Sequence, residues 1–138
     1  MIVLDTNVIS ELWKIEPNCN VLAWIDAQAV ETLYLSAIAV GELRSLQRCP
    51  RASAIYQEQL EHKVLPTFAG RVVPFDLDAS QTYADLMARA RAGRGKAIEE
   101  DGYIAATAVA HGLMVATRDT SPFEAAELNT INPWEASP

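Results

Sequence analysis

Short apolar segments alternate with helical patterns along the whole chain, and this alternation restricts the fold more than any other feature. The strand candidates are residues 2–4, 32–36, 71–76, 113–119 and, more weakly, 130–132. The helix candidates are residues 6–14, 18–29, 37–48, 52–65, 78–92 and 98–111. Strands that alternate with helices are typical of an α/β domain with a parallel sheet in two or three layers.

Local signals set several of these boundaries. Ser36 is the predicted N-cap of the third helix, and Asp78 or Ser80 begins the fifth. Gly112 is the predicted left-handed C-cap of the last helix. Pro74 predicts that residues 71–76 lie at the edge of the sheet, because proline cannot donate to the ladder.

Length and composition predict one domain over residues 1–138. A chain of this length buries about two-thirds of the surface that its unfolded form exposes, and 50% of its residues are hydrophobic. The apolar runs are shorter than the roughly 18 residues of a membrane span, so we expect a cytoplasmic protein without a membrane association. Cys19 and Cys49 have no Cys or His partner at metal-ligand spacing, and we expect reduced thiols.

The formal net charge is −7. This charge opposes broad electrostatic attachment to nucleic acid or to an anionic membrane. If the substrate is a polyanion, a metal ion or a local basic patch must overcome the field of the protein.

Two acids follow apolar strand candidates. Asp5 ends the segment "MIVLD", and Asp119 ends "LMVATRD". The carboxyl ends of parallel strands meet at one edge of a sheet, where ligands bind, so the two acids lie close together if their strands are neighbours. Taken alone, Asp119 is also explained as the start of the turn "RDTSPF".

Two further acids lie on otherwise apolar helix faces. Most neighbours of Glu42 three and four positions away are apolar, and the face of Asp101 continues with Ile104 and Ala105. Glutamate is rarely buried without a partner, although a partly exposed Glu42 at the margin of its face stays an alternative. Gly41 lowers helix stability by about 1 kcal/mol relative to Ala, which is tolerated where another group must approach closely.

Carboxylates gathered in one pocket need protons or a cation. Two of them about 4 Å apart repel by about 4 kcal/mol at an effective dielectric constant of about 20. Oxygen ligands without His or Cys suit Mg²⁺ or Mn²⁺, and such sites commonly act on phosphate esters. The acids that predict this site are Asp5, Glu42, Asp101 and Asp119.

Five segments carry a resemblance to a known family. They are "MIVLDTNVISE", "YLSAIAVGELR", "FAGRVVPFD", "EEDGYIAATAVAHGLMVATRDTSPF" and the closing "NPW". In this order, and over nearly the whole chain, they resemble the PIN-domain ribonuclease toxins of the VapC family, in particular its FitB-like branch. The resemblance implies an α/β, PIN-like three-layer sandwich with a central parallel sheet of about five strands flanked by helices.

The resemblance also implies which residues form the site. The four acids Asp5, Glu42, Asp101 and Asp119 would bind Mg²⁺ or Mn²⁺ as a quartet. Thr6, Asn7 and Thr117 would orient these ligands, although Thr6 is equally well explained as a helix N-cap. The segment "SLQRCPRASAIYQEQ" is broken at Pro50 where related chains often continue as a longer helical arm, so no dimer or antitoxin surface is carried over to it.

The resulting hypothesis is metal-dependent hydrolysis of an RNA phosphodiester. Asp5, Asp101 and Asp119 would hold the metal, and Glu42 would act as a ligand or orient the attacking water. The resemblance implies products with a 5′-phosphate and a 3′-hydroxyl. Candidate phosphate contacts are Arg44, Arg48, Arg94, Lys96 and Arg118, with ordinary solvated surface residues as the alternative.

Partners follow from the resemblance alone. It implies a homodimer, and a small DNA-binding antitoxin through which operator DNA would be bound. A larger toxin–antitoxin assembly is an alternative to the simple homodimer. A second hypothesis is therefore a weakly active or inactive PIN subunit that acts mainly as the binding partner of such an antitoxin in a transcriptional regulatory complex. A phosphotransferase of the haloacid-dehalogenase type is disfavoured, because it needs an acid two positions after Asp5, where Asn7 stands.

Overall fold

A computed structural model describes residues 1–45, 50–92, 99–125 and 128–135, with side chains except at positions 50–54, 90–92, 99–101, 122 and 125. The strands are β1 (Ile2–Leu4), β2 (Leu33–Ser36), β3 (Val72–Val73), β4 (Met114–Ala116) and β5 (Thr130–Ile131). The helices are α1 (Thr6–Leu12), α2 (Cys19–Ala27), α3 (Ala37–Ser45), α4 (Pro50–Gln59), α5 (Leu65–Thr67), α6 (Leu77–Ala92), α7 (Glu99–Ala110) and α8 (Ser121–Ala125). A 3₁₀ turn (Val30–Thr32) precedes β2, and a π-helical turn (Leu60–Val64) joins α4 to α5.

The five strands form one parallel sheet in the order β3-β2-β1-β4-β5. Strand β1 is central, and Leu4 pairs with Leu35 on one side and with Ala116 on the other. The chain thus runs outward from β1 to one edge and later returns to build the other half. The predicted parallel α/β fold of about five strands is confirmed, and β3 lies at the edge.

Apolar side chains fill both faces of this sheet. Successive strand residues point to opposite faces, so Val3 and Val115 pack into one core cluster while Leu4 and Ala116 pack into the other. Helices α6, α7 and α8 contribute to the first cluster, and α1, α2, α3, α5 and the π-helical turn contribute to the second. The sheet therefore lies between two helical layers, as a three-layer sandwich requires.

One helix start differs from the sequence prediction and another agrees with it. Asp76 caps α6, since its Oδ1 accepts a hydrogen bond of 2.9 Å from the backbone N–H of Ala79. The helix thus begins at Leu77, and the predicted starts at Asp78 or Ser80 were wrong. The prediction for Ser36 is confirmed, because its Oγ accepts from the N–H of Ala39 at 2.9 Å.

Other boundaries reflect local chain geometry. Gly112 has a φ of +68°, the left-handed conformation predicted for it. The fourth predicted helix continues past Pro66. The π-helical turn changes the hydrogen-bond register before α5, so Pro66 lies in the first turn of that helix. Backbone N–H groups in a first turn have no partner within the helix, so the missing N–H of proline loses no hydrogen bond there. Helix α8 occupies a segment that the sequence indicated only as a turn. The end of the third predicted helix, residues 46–48, lies outside the described residues.

Within the described ranges, every helix is too short or too polar to cross a bilayer.

Candidate functional site

Asp5 lies where the central strand ends, and the fold fixes both of its carboxylate oxygens. It is 6% exposed, and it is itself the N-cap of α1, with Oδ1 accepting from the N–H of Thr6 at 2.8 Å. Its Oδ2 accepts from the hydroxyl of Thr117 at 2.8 Å. Thr6 is therefore the first helical residue, and the interpretation of Thr6 as the N-cap was wrong.

Thr117 connects the ends of β1 and β4. Its buried hydroxyl donates to Asp5 and accepts from Asn7 Nδ2 at 3.3 Å and from the N–H of Asp119 at 3.3 Å. A hydroxyl has one donor and two acceptor positions, so all three are used. The N–H of Thr117 also donates to the carbonyl of Ile131 at 3.0 Å. Thr117 thus fixes the direction of the Asp5 carboxylate relative to the strand that carries Asp119.

The charge of Asp5 is disfavoured in this environment. Burial raises the pKa of the Asp5 carboxyl above its ordinary value, the hydrogen bonds from Thr117 and from the N–H of Thr6 lower it, and the nearby negative charge of Asp119 raises it. The net effect is a raised pKa. The two strand-end acids are therefore close enough to repel, as expected for neighbouring strands, while the side chain of Asp119 is exposed.

Glu42 reaches the same edge from α3. Its Oε1 accepts a hydrogen bond of 3.2 Å from the hydroxyl of Thr6, and its side chain is half-buried. Thr6 thus contacts both acids, because its N–H donates to Asp5 and its hydroxyl donates to Glu42. A Cβ built on Gly41 meets nothing within 4 Å in the described structure, so the close approach expected there is not found. We call Asp5, Glu42, Thr117 and Asp119 the acidic edge.

Asp101 lies in the first turn of α7, but its side chain is outside the described residues. The next residue, Gly102, is packed against α6: a Cβ there would lie 2.8 Å from Met87 Cε and 3.2 Å from Tyr83 Cε2. The start of α7 can approach α6 this closely because Gly102 has no side chain. Among the side chains that are described, no three His, Cys, Asp or Glu are grouped so that they could hold a metal ion.

The oxygen atoms of the acidic edge nevertheless have the chemistry of a site for a hard cation. Carboxylate and hydroxyl oxygens are the ligands that Mg²⁺ and Mn²⁺ prefer. A cation beside Asp5 would offset both the desolvation of its charge and the repulsion from Asp119. The residues present therefore fit a divalent cation.

The predicted phosphate contacts are in different situations. Arg44 is paired with Glu61, with Nη1 and Oε1 2.7 Å apart. Arg118 is exposed, and its guanidinium carbon lies 5.4 Å from the centroid of the Trp134 ring. The remaining candidates lie outside the described residues: Arg48, Arg94 and Lys96.

The structure adds a buried acid that the sequence reasoning missed. Glu11 is 4% exposed, and it accepts from Lys14 Nζ at 2.9 Å and from the N–H of Asn18 at 3.0 Å. The hydrogen bond from Lys14 is the largest cause that lowers the pKa of Glu11, and the Trp134 side chain contributes in the same direction. Glu11 thus joins the end of α1 to the start of α2. Glu11 lies three positions after Val8 on an apolar helix face. This spacing could have indicated from the sequence that Glu11 is buried.

A cavity of about 270 Å³ lies on the sheet face covered by α1 to α5. Its lining is mostly apolar and comes from β1, β2, α1, α2, α4 and the segment 63–68. Val30, at its border, is 43% exposed. The cavity is lined by Leu4 but not by Asp5, so it is separate from the acidic edge.

A parallel sheet in this strand order, with acids converging at the end of its central strand, defines a PIN domain, and residues 2–128 match that family. The chain belongs to the PIN-domain toxins of the VapC and FitB type. It is 70% identical over 139 residues to the VapC ribonuclease Y4jK of Sinorhizobium fredii, covering 98% of this chain and 99% of the relative.

Two further comparisons agree. The chain is 47% identical over 137 residues to the toxin FitB of Neisseria gonorrhoeae, covering 97% of this chain and 99% of that toxin. It superposes on a chain in the structure of FitAB bound to the IR36 DNA fragment with a TM-score of 0.91 and 45% identity, covering 99% of this chain and 98% of the other.

Proposed function

We propose that this protein is a Mg²⁺-dependent endoribonuclease, with Mn²⁺ as the alternative metal, and the toxin of a type II toxin–antitoxin system. The observation that supports it most strongly is the buried Asp5 carboxylate, whose charge is disfavoured by burial and lies beside that of Asp119. Such a carboxylate gains from a bound cation. The 70% identity to a protein named a VapC ribonuclease supports RNA as the substrate.

The residues of the acidic edge, together with Asp101 and Thr6, have proposed roles. Asp5, Asp101 and Asp119 would hold the metal, and Glu42 would complete the set or orient the attacking water. When bound, the divalent cation supplies charge stabilisation at the phosphate oxygens. Thr117 keeps Asp5 in one orientation through the 2.8 Å hydrogen bond, and Thr6 does the same for Glu42. Hydrolysis would leave a 5′-phosphate and a 3′-hydroxyl.

The test is cleavage of RNA by the purified protein with Mg²⁺, with Mn²⁺ and with a chelator. We expect cleavage only with metal, and loss of at least about 100-fold in rate for Asp5→Asn, since a metal ligand is removed. Asp26→Asn is the matched control, because Asp26 is an exposed aspartate on α2. Equal cleavage by wild type and Asp5→Asn, or undiminished cleavage in the chelator, would contradict the proposal.

We further propose a small DNA-binding antitoxin as partner, a homodimeric toxin, a cytoplasmic site of action, and contact with operator DNA only through the antitoxin. The similarity to a chain of the DNA-bound FitAB structure supports this assignment. The apolar cavity is the candidate antitoxin surface, because a largely apolar concave lining suits an apolar helix face.

The partner proposal is tested by co-purification with the product of the adjacent gene. Val30→Glu places a charge at the cavity border and is expected to weaken the complex at least about 10-fold. Val72→Glu is the control, since Val72 is 37% exposed on the edge strand β3 and does not line the cavity. Equal binding by both variants would exclude this surface. Size measurement of the free toxin tests the homodimer.

A second candidate function is a binding subunit with little nuclease activity of its own. The DNA fragment bound to FitAB is the observation that favours it. The two candidates separate cleanly: a binding subunit alters operator binding by the antitoxin but leaves RNA intact with either metal.

A further inference from the structure

Residues 132–134, the "NPW" segment, lie against the loop that carries Asp119. Strand β5 pairs with β4, and the chain then turns so that Asn132 Nδ2 donates to the carbonyl of Arg118 at 3.2 Å. On the other side, the N–H of Arg118 faces Asn7 Oδ1 at 3.4 Å. The backbone of Arg118 is thus held by two asparagines, one from each end of the chain.

The side chain of Arg118 is held as well. Its guanidinium lies over the ring of Trp134, and an arginine over an aromatic face at an exposed site gains about 2- to 5-fold in the population of that conformation. Within the described part of the chain, no carboxylate pairs with this guanidinium, in contrast to Arg44, which is paired with Glu61. The donors of Arg118 therefore stay available at the rim of the acidic edge.

Trp134 is in turn fixed by its own contacts. Its N–H donates to Asn132 Oδ1 at 2.9 Å, and its carbonyl accepts from Asn20 Nδ2 at 2.9 Å. Its ring packs against the core cluster that contains Leu4, and its side chain also stabilises the charged form of Glu11. A ring held from several sides is a rigid support for a flexible arginine.

We propose that Arg118 binds a phosphate of the RNA next to the cleaved bond, and that Trp134 and Asn132 are positioning residues that hold it there. The proposal rests on the proposed ribonuclease function. Arg118 lies between Thr117, whose hydroxyl holds Asp5, and the acid Asp119. Arg118 is therefore the chain neighbour of two residues of the acidic edge. A planar guanidinium suits bidentate phosphate binding, and its preorganisation reduces the rotamer freedom lost on binding.

The test is binding of a fluorescein-labelled single-stranded RNA of mixed sequence, in a chelating buffer so that no cleavage occurs, at several salt concentrations. Arg118→Ala is expected to weaken binding and to reduce the salt slope by about 0.7, one phosphate contact on a single strand. Trp134→Leu keeps the charge, so it should weaken binding by about 2- to 5-fold with an unchanged slope. Trp134→Phe keeps a ring and should restore binding.

The double variant is decisive. If Trp134 acts through Arg118, then Trp134→Leu has no further effect when Arg118 is already Ala. Asn132→Ala should behave in the same way, and it serves as the second positioning variant if Trp134→Leu does not fold. In cleavage with Mg²⁺, these changes should raise KM and leave kcat unchanged, which a general loss of structure would not do.

Additive losses would overturn the inference, because Trp134 would then act independently of Arg118. A wild type that cleaves RNA while Arg118→Ala binds as tightly as wild type would also overturn it and leave the proposed function standing. A wild type that does not bind RNA in the chelating buffer and does not cleave it with either metal would refute the ribonuclease function itself, and the inference with it.

Discussion

Replacement of Asp5 by Asn removes the negative charge of a buried side chain with almost no change of shape, and its effect on stability has a definite sign. Folding raises the pKa of Asp5, mainly through burial of its carboxyl. Between the unfolded pKa of about 4 and this raised value, the folded state binds more protons than the unfolded state. The free energy of unfolding therefore falls as pH rises through that window, by up to roughly 1.4 kcal/mol for each pH unit, and the loss persists above it.

The substitution also changes one hydrogen bond. The amide oxygen can still accept from the N–H of Thr6, but the amide nitrogen would face the hydroxyl of Thr117, whose acceptor positions already serve Asn7 and Asp119. Losing that bond costs about 1 kcal/mol at every pH. We therefore expect Asp5→Asn to be less stable than wild type near pH 4 and to gain on it as the pH rises through the window between the unfolded pKa and the raised folded pKa.

Urea unfolding of both proteins between pH 4 and pH 8, in a chelating buffer, measures this difference. Added Mg²⁺ at about 100 times its dissociation constant should then stabilise wild type by about 2.7 kcal/mol and Asp5→Asn far less. Asp26→Asn should show neither effect, since Asp26 is exposed. A stability difference that is constant with pH, or equal stabilisation of both proteins by Mg²⁺, would refute this account of Asp5.

Three further substitutions test individual contacts by urea unfolding. Gly41→Ala should raise the free energy of unfolding by about 1 kcal/mol, since its Cβ meets nothing within 4 Å in the described structure; a loss would mean that the site is more crowded. Gly102→Ala should lower the free energy of unfolding by about 1 kcal/mol, because overpacking against Tyr83 outweighs the gain in helix propensity. An equal gain in stability for Gly41→Ala and Gly102→Ala would contradict the close packing of α6 and α7. Thr117→Val should cost about 1–3 kcal/mol at pH 7 and reduce cleavage, because a buried Asp5 oxygen loses its donor; wild-type stability and cleavage would contradict that role.

The fold could be predicted from sequence because its signals are local and repeated. The first three apolar runs are each followed by a helical pattern, and this alternation indicates a parallel sheet before any long-range contact is known. The acids were recognisable for a related reason: Asp5 and Asp119 follow strands, and Glu42 interrupts an apolar helix face. These are features of short segments.

The sequence analysis failed for residues whose roles depend on contacts between segments that are distant in the sequence. Thr6 looked like an N-cap, but Asp5 fills that role while Thr6 donates to Glu42, 36 residues away. Glu11 was overlooked because its partners include the start of the next helix and Trp134. The role of the "NPW" segment depends on pairing between β4 and β5, which nothing in the motif itself indicates.

The central position of β1 sets when the site can exist during synthesis. Asp5 is translated 112 residues before its partner Thr117, and at about 5–20 residues per second the interval is roughly 6 to 22 s. A nascent chain whose β4 has not yet left the ribosome contains Asp5. It still lacks the Thr117 hydroxyl that orients Asp5 and the strand that precedes Asp119. A message interrupted before Thr117 therefore yields a product with no assembled site, and the site is completed only after β4 and Asp119 have been synthesised.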